Sequence, residues 1–220
     1  MNLARLRALI FDLDGTLIDS ERDLVNSTNA TLRHLTRPEL PYAMVSSYIG
    51  HGVAKLVASA LGPDASPQEQ SAALQFFLPY YNEHKLDHTR AYPSVPEALA
   101  QLAPRPMAVL TNKPRLIAEQ ILASLGLAKY FAVIYGGDSF PAVKPDPAGV
   151  HAILADLAVA PENVLYVGDS QVDVQTARNA GISVAIVNYG FGQRDRAVLP
   201  ADLYLDRLTD LLPLLHLPPL

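Results

Sequence analysis

The chain from residue 107 onward alternates between short apolar runs and runs with helical periodicity, and this alternation restricts the fold more than any other feature. Strand-like runs are expected at 107–110, 131–135, 163–168 and 183–187, with helices at 115–125, 148–157 and 173–180. Alternation of this kind is typical of a parallel sheet, because each helix crosses over the sheet to reach the next strand. The apolar run from Leu6 to Phe11 has the same character. The sequence therefore predicts an α/β fold whose parallel sheet includes this first strand.

A segment with helical periodicity alone lies between the first strand and the alternating region. Apolar residues recur every three or four positions in three stretches between residues 20 and 87, and no strand pattern interrupts them. We therefore predict an α/β core formed by residues 1–18 and 90–220. Residues 19–89 are predicted to form a helical cap, inserted after the first core strand.

Composition narrows the range of partners. The 220 residues carry a net charge of −5, and half of them are apolar, which suffices for one sizeable core. No basic face or stripe is visible, so nucleic acid is not an expected partner.

Cysteine is absent, which excludes disulfides and thiolate chemistry. No apolar run approaches the ~20 residues of a membrane span, and no signal-peptide cleavage site follows the apolar run near residue 6. We therefore expect a soluble cytoplasmic protein. We also expect it to be monomeric or homodimeric.

Polar residues cluster where the predicted strands end. Ligands of open α/β sheets bind beyond the carboxyl ends of the strands. The segments near that edge are "DLDGT" (12–16), "TNKP" (111–114), "VKPDP" (143–147) and "GDSQVD" (168–173). They would bring together acidic, cationic and neutral groups, namely Asp12, Asp14, Asp169, Asp173, Lys144, Thr111, Asn112 and Ser170.

These groups suit a hard metal ion and a phosphate ester. Several carboxylates without cysteine or histidine form an oxygen-rich site of the kind that Mg²⁺ prefers. Asp12 and Asp14 would repel each other, and we expect the metal to supply the opposing positive charge. One carboxylate could then attack phosphorus while the other moves the proton of the leaving group. Each motif alone is also typical of a turn or a helix cap, so the prediction rests on their order and placement.

The segments "DLDGTLIDS", "LTNKP", "KPDP" and "GDSQVD", in this order, resemble the haloacid dehalogenase superfamily of phosphatases. The resemblance implies a Rossmann-like core with a helical cap inserted after the first motif. It further implies that Asp12 is the nucleophile and Asp14 the general acid and base. Lys144 would steady the nucleophile and the phosphoryl group. Superfamily members that attack carbon lack the second aspartate of the first motif, so Asp14 favours a phosphate ester over a haloacid.

The same resemblance implies the ligands of phosphate and metal. The phosphate-binding positions correspond here to Thr111, Asn112, Gly15 and Thr16. The Mg²⁺ ligands correspond to the Asp12 side chain, the backbone carbonyl of Asp14, and Asp169, which Asp173 would support.

The segments "IGHG", "LTNKP" and "YFAVIYGGD" look like those of bacterial phosphoglycolate phosphatases within the superfamily. This implies a small phosphorylated metabolite as substrate, with 2-phosphoglycolate as the single best expectation. In "YIGHG" (48–52), Gly50 and Gly52 would let the backbone approach a ligand, and His51 would donate to a substrate carboxylate. An ordinary turn between two helices explains the same residues.

Three alternatives stay open at the level of sequence. The chain could hydrolyse another small phosphate, such as a sugar phosphate or pyrophosphate. A phosphomutase similar to those acting on β-glucose 1-phosphate would keep Asp12 and Asp14 but return the phosphoryl group to its substrate. A non-catalytic binding protein is disfavoured, because every catalytic position holds a competent residue.

Overall fold

The predicted parallel sheet is present in the structure, a computed structural model that describes residues 5–192 and 199–215. Its strands are β1 (Ala8–Phe11), β4 (Met107–Leu110), β5 (Val133–Tyr135), β6 (Val164–Gly168), β7 (Ser183–Val187) and β8 (Leu203–Leu205). They are all parallel and lie in the order β5-β4-β1-β6-β7-β8. The α/β fold class predicted from the sequence is therefore confirmed.

Helices cover both faces of this sheet, which explains why its strands are continuous apolar runs. The helices are α5 (Val95–Leu102), α6 (Arg115–Ser124), α7 (Ala148–Asp156), α8 (Gln171–Asn179) and α9 (Leu211–Leu214). Side chains of β1 alternate between two core clusters. Leu9 and Phe11 pack in the cluster that contains residues of α5, α6 and α9. Ala8 and Ile10 pack in the cluster that contains residues of α7 and α8.

The helical segment lies between two very short strands. Its helices are α1 (Glu21–His34), α2 (Tyr42–Ser46), α3 (Val53–Leu61) and α4 (Pro67–His84). The flanking strands β2 (Ile18–Asp19) and β3 (Arg90–Ala91) pair with each other in antiparallel orientation. The segment therefore leaves and re-enters the α/β region at one place. That residues 19–89 form a separate domain remains a prediction.

Several elements differ from their predicted bounds. Strand β5 begins at Val133 rather than at residue 131, because Phe131 follows directly on a short 3₁₀ turn. Helix α8 begins two residues early, because the Asp173 carboxylate accepts the N–H of Ser170 and so caps the helix there. Strands β2, β3 and β8 are too short to show a pattern, and the sequence does not predict them. In the part of the chain that the structure describes, no helix combines the length and apolar character needed to cross a membrane.

Asp23 fastens the start of α1 to the return segment that precedes β3. Its buried carboxylate accepts the N–H groups of His88 and Thr89, at 3.0 and 2.8 Å, and the Thr89 hydroxyl at 2.8 Å. The His88 Nδ1 atom lies 2.8 Å from the same carboxylate. Burial opposes ionisation of this carboxyl, but the hydrogen bonds outweigh that effect and lower its pKa. One ionised side chain therefore joins both connections of the helical segment.

We expect Asp23→Asn to destabilise the protein by about 2–3 kcal/mol at neutral pH, because an amide offers one acceptor oxygen where several donors converge. The loss of stability caused by Asp23→Asn depends on pH. A carboxyl whose folded-state pKa is lowered stabilises the fold fully above its unfolded pKa of about 3.9. That contribution is lost as the pH falls through the lower pKa that the carboxyl has in the folded state.

Urea unfolding of the wild type and of Asp23→Asn, at pH 7 and at about pH 3, measures the effect. Asp64→Asn is the matched control, because it makes the same chemical change at an exposed position. A free-energy difference for Asp23→Asn that is as large at the acidic pH as at the neutral one would contradict the assignment.

Candidate active site

Three functional side chains follow three neighbouring strands, so the sheet places them side by side. Asp12 follows β1, Thr111 follows β4, and Asp169 follows β6, and β1 lies between the other two strands. The N–H of Asp12 donates to the Val167 carbonyl at 2.9 Å, and that of Thr111 to the Tyr135 carbonyl at 3.0 Å. Both residues therefore continue the hydrogen-bonded edge of the sheet and are fixed by it.

Lys144 is buried at the centre of this edge. Its Nζ atom lies 2.8 Å from Asp12 Oδ1 and 2.7 Å from Asp173 Oδ1, and it donates to the Tyr166 hydroxyl at 3.0 Å. These contacts use all three N–H groups of the ammonium. Burial by itself would lower the pKa of Lys144, but the two carboxylates outweigh burial and raise that pKa well above its ordinary value. Lys144 is therefore a fixed positive charge beside Asp12.

Asp173 holds this lysine and the loop after β6. Its Oδ1 atom contacts Lys144, and its Oδ2 atom accepts the N–H of Asp169 at 3.1 Å and the hydroxyl of Ser170 at 2.7 Å. Burial opposes its ionisation, but Lys144 and Ser170 outweigh burial and lower the pKa of Asp173. Both carboxylate oxygens are occupied by protein donors, which fits a supporting position better than direct contact with a metal.

Asp169 is held from its other side by backbone groups. Its Oδ2 atom accepts the N–H of Phe191 at 2.7 Å and that of Gly192 at 2.9 Å. Gly15 has a φ of +84°, and a side chain there would begin 2.4 Å from the same oxygen. Only glycine therefore lets the first motif approach this carboxylate. Burial, followed by the charges of Asp173 and Asp12, raises the pKa of Asp169 well above its usual range.

The buried carboxylates have the chemistry of a metal site. One carboxylate oxygen from each of Asp12, Asp169 and Asp173 lies within 4.8 Å of the other two. Among the described residues only Lys144 pairs with them, so three carboxylates face one ammonium. Burial above all raises the pKa of Asp12 to about 7. Asp12 Oδ2 and Asp169 Oδ1 have no hydrogen-bond partner in the described ranges. Such a set of oxygens fits a divalent hard cation.

Asp14 is paired with a second buried lysine. Lys113 Nζ lies 3.0 Å from Asp14 Oδ1, and the Ser20 hydroxyl donates to the same oxygen. The expectation that a metal opposes the repulsion between Asp12 and Asp14 is therefore incomplete, because each aspartate has its own ammonium group. The Asp14 side chain is 14% exposed, and its Oδ2 atom has no partner among the residues that the structure describes. This oxygen is free to exchange a proton with a ligand.

Lys113 also joins the helical segment to the sheet. It donates to the hydroxyl of Tyr81, a residue of α4, at 2.7 Å. Burial by itself favours a neutral amine, but the charge of Asp14 outweighs burial and raises the pKa of Lys113 above its ordinary value. Burial raises the pKa of Tyr81 to about 12, so its phenol keeps its proton at neutral pH.

Thr111 and Asn112 differ in what they can offer a ligand. Thr111 Oγ1 accepts the N–H of Lys113 at 3.2 Å, so its own proton remains available for a phosphate oxygen. The Asn112 amide donates to the carbonyls of Gly50 and Lys144, at 3.1 and 3.2 Å, and accepts the N–H of Lys144 at 2.9 Å. The Asn112 side chain therefore positions Lys144 and would have to break a bond to contact phosphate.

Gly15 and Thr16 are engaged in the turn that follows β1. The N–H of Gly15 donates to the Ile18 carbonyl, and that of Thr16 to the Leu13 carbonyl. The Thr16 side chain is fully buried. Gly15 therefore makes room for Asp169, and the phosphate contacts predicted for these two residues remain predictions.

A small cavity of about 50 Å³ lies between this edge of the sheet and the helical segment. Its polar lining comes mainly from the sheet side, namely from Asp12, Asp14, Thr111, Asn112 and Lys113. The helical segment lines the cavity with Leu24, Ile49, Gly50, Gly52, Val53, Leu56, Phe77, Leu78 and Tyr81. His51 is exposed and does not line the cavity, although both of its glycine neighbours do. Its contact with a substrate carboxylate remains a prediction.

Sequence patterns do not identify three residues of this site. Lys113 stands two residues before the first residue of α6, where a lone lysine is typically solvated. Tyr81 falls on the apolar face of a predicted helix, and Tyr166 lies inside a buried strand. In both cases the pattern predicts packing, whereas the partner of the hydroxyl group depends on the tertiary structure.

Comparison with known proteins agrees with this arrangement. Residues 9–187 match the family described as haloacid dehalogenase-like hydrolase. The chain belongs to this family. The parallel sheet, the helical insert after β1 and the buried aspartates are therefore features of a haloacid dehalogenase-like hydrolase.

This hydrolase also has relatives of nearly its own length. It is 36% identical to the phosphoglycolate phosphatase of Chromobacterium violaceum over 217 residues, which cover 96% of this chain and 97% of the relative. It is 38% identical to the phosphoglycolate phosphatase of Neisseria meningitidis, covering 92% and 88% of the two chains. The crystal structure of a predicted phosphoglycolate phosphatase from Haemophilus somnus superposes with a TM-score of 0.87 at 30% identity, covering 95% and 97%. The hydrolase is thus a phosphatase of this family.

Proposed function

We propose that the protein is a Mg²⁺-dependent phosphatase that hydrolyses a small phosphate monoester, with 2-phosphoglycolate as its substrate. The observation that carries the proposal is the setting of Asp12, whose Oδ1 is fixed by Lys144 at 2.8 Å while its Oδ2 has no partner among the described residues. A buried carboxylate held in this way can act as a nucleophile. The names of the relatives at 36% and 38% identity support the choice of substrate.

The reaction would proceed in two steps through an aspartyl-phosphate. First, the Asp12 carboxylate bonds to phosphorus while the bond from phosphorus to the ester oxygen breaks. Asp14, protonated at its free oxygen, gives that proton to the departing alkoxide, which leaves as glycolate. In the second step, water attacks phosphorus, Asp14 takes a proton from it, and the bond between Asp12 and phosphorus breaks. Inorganic phosphate leaves, and both aspartates return to their starting states.

The phosphoryl oxygens would be bound by groups that are already oriented. The Thr111 hydroxyl has a proton to donate, because its oxygen accepts the N–H of Lys113. Lys144 keeps Asp12 aligned and offsets the repulsion between the attacking carboxylate and the phosphate. Neither group needs to reorganise when charge shifts in the transition state.

We propose that Asp12, Asp169 and the backbone carbonyl of Asp14 hold Mg²⁺. The bound ion would offset the surplus negative charge of the site and polarise the phosphoryl group. Asp173 contributes by orienting its neighbours, since it accepts the N–H of Asp169 and contacts Lys144.

Residues 19–89 are proposed to act as a cap over the cavity. Tyr81 and Gly50 contact the sheet side through hydrogen bonds with Lys113 and Asn112. Closure would exclude bulk water during the first step and admit it for the second. A cytoplasmic location, and a small metabolite rather than nucleic acid as partner, belong to the same proposal.

Phosphate release from a panel of phosphorylated metabolites, with Mg²⁺ and with EDTA, tests the proposal. We expect the highest kcat/KM for 2-phosphoglycolate, and complete loss of turnover in EDTA that added Mg²⁺ restores. Preference for a sugar phosphate or pyrophosphate would overturn the substrate. Conversion of β-glucose 1-phosphate without phosphate release would indicate a mutase, and binding without turnover would indicate a non-catalytic protein.

A further inference from the structure

We infer that Lys113, together with the Tyr81 hydroxyl, is the binding site for an anionic group on the leaving half of the substrate. This inference rests on the proposed function and deepens it, because it assigns the selection of a carboxylate-bearing phosphate ester to two named residues. Lys113 would exchange its contact with Asp14 for a contact with the substrate carboxylate.

The lining of the cavity supports this assignment. Lys113 is the one cationic side chain among the described residues that line it. The helical segment contributes mostly aliphatic and aromatic groups, such as Leu24, Ile49 and Phe77. A carboxylate entering an apolar cavity loses its hydration and requires a charged or hydrogen-bonding partner. Lys113 and Tyr81, which line the cavity and are hydrogen-bonded to each other, can replace that hydration.

The positions of the donors agree with the geometry of the substrate. The ester oxygen must lie within hydrogen-bond reach of Asp14, about 2.6–3.2 Å, to receive its proton. In 2-phosphoglycolate the carboxylate carbon is two bonds from that oxygen. Lys113 Nζ lies 3.0 Å from the near oxygen of Asp14, so the carboxylate would lie beside the ammonium.

Tyr81 completes the site from α4. Its hydroxyl accepts a hydrogen bond from Lys113 at 2.7 Å, which leaves its own proton available for the substrate. The Asn112 side chain is occupied by Gly50 and Lys144, and His51 is exposed outside the cavity lining. Neither is placed to bind the carboxylate without a rearrangement.

A pair of matched substrates tests the inference, namely 2-phosphoglycolate and 2-hydroxyethyl phosphate, in which a hydroxymethyl group replaces the carboxylate. The readout is the ratio of their kcat/KM values, because any loss that acts through Asp14 affects both substrates. We expect the wild type to prefer 2-phosphoglycolate, and Lys113→Met to reduce that preference by about 100-fold. Lys113→Arg keeps the charge and should retain a measurable part of the preference.

Tyr81→Phe is the second variant, because it removes one hydroxyl and preserves the packing of α4. We expect it to raise KM for 2-phosphoglycolate by about 5–10-fold with little change in kcat, and to leave KM for 2-hydroxyethyl phosphate nearly unchanged. Thermal unfolding shows whether each variant is folded.

Two outcomes separate the inference from the proposed function. If the wild type does not hydrolyse 2-phosphoglycolate, the proposed function fails and the inference fails with it. If the wild type does hydrolyse it, but Lys113→Met and Tyr81→Phe affect both substrates equally, the function stands and the inference is overturned. Should Lys113→Met not fold, the KM values of Tyr81→Phe decide the question.

Discussion

The Asp12→Asn variant is expected to remain folded and to lose turnover by about 10⁴-fold or more, since an amide cannot form the phosphoryl intermediate. The fold should tolerate the change because the Asn side chain still offers an oxygen to Lys144, and Lys144 keeps its contact with Asp173. The change also removes one negative charge from a site in which three carboxylates face one ammonium.

Phosphate release and thermal unfolding, measured on the same preparation, check this prediction. Asp64→Asn, at an exposed position outside the site, controls for the loss of one carboxylate from the chain. A folded Asp12→Asn variant that keeps turnover near the wild-type value would show that another residue is the nucleophile.

The second large effect is expected for Asp169→Asn, which should lower Mg²⁺ affinity by at least about 100-fold and turnover accordingly. Asp169 Oδ2 accepts the N–H groups of Phe191 and Gly192, and an Asn side chain would direct its oxygen to these donors. Its amide nitrogen would then take the place of the free carboxylate oxygen, and a nitrogen that carries two protons cannot bind a cation.

Although Asp169→Asn should weaken Mg²⁺ binding, it should not destabilise the metal-free protein. Burial and the charges of Asp173 and Asp12 raise the pKa of Asp169, so removing its charge should leave the metal-free variant at least as stable as the wild type. Mg²⁺ should raise Tm of the wild type through binding to the folded state and should raise Tm of the variant much less. Calorimetric titration with Mg²⁺ and thermal unfolding with and without the ion measure both effects. Equal Mg²⁺ affinity in the two proteins would exclude Asp169 as a ligand.

The parts of the site that sequence can predict are those fixed by strand ends. Asp12, Thr111 and Asp169 each follow an apolar run directly, and parallel strands bring their carboxyl ends to one edge of the sheet. The alternation of strands and helices, and the helical stretch after β1, require only local periodicity. These features therefore agree between the sequence and the structure.

The parts that sequence cannot predict depend on contacts between distant residues. Tyr81 and Lys113 are 32 positions apart, and their hydrogen bond depends on how α4 packs on the sheet. Tyr166 lies in a strand where any large apolar residue would fit the pattern, and only the tertiary structure shows that its hydroxyl reaches Lys144. The pairing of Asp14 with Lys113 is for the same reason absent from the sequence prediction, which placed Lys144 beside Asp12 but assigned the charge between the two aspartates to a metal.

Chemical trapping of the phosphorylated residue tests the central claim most directly. The Asp14→Asn variant, given p-nitrophenyl phosphate, should accumulate the intermediate, because this leaving group needs no proton whereas the attacking water still needs a base. Borohydride reduces an aspartyl-phosphate to homoserine, which peptide mass spectrometry locates in the chain. The account predicts homoserine at position 12. Homoserine at any other aspartate, or an unmodified Asp12 in a variant that shows a burst of nitrophenol, would contradict it.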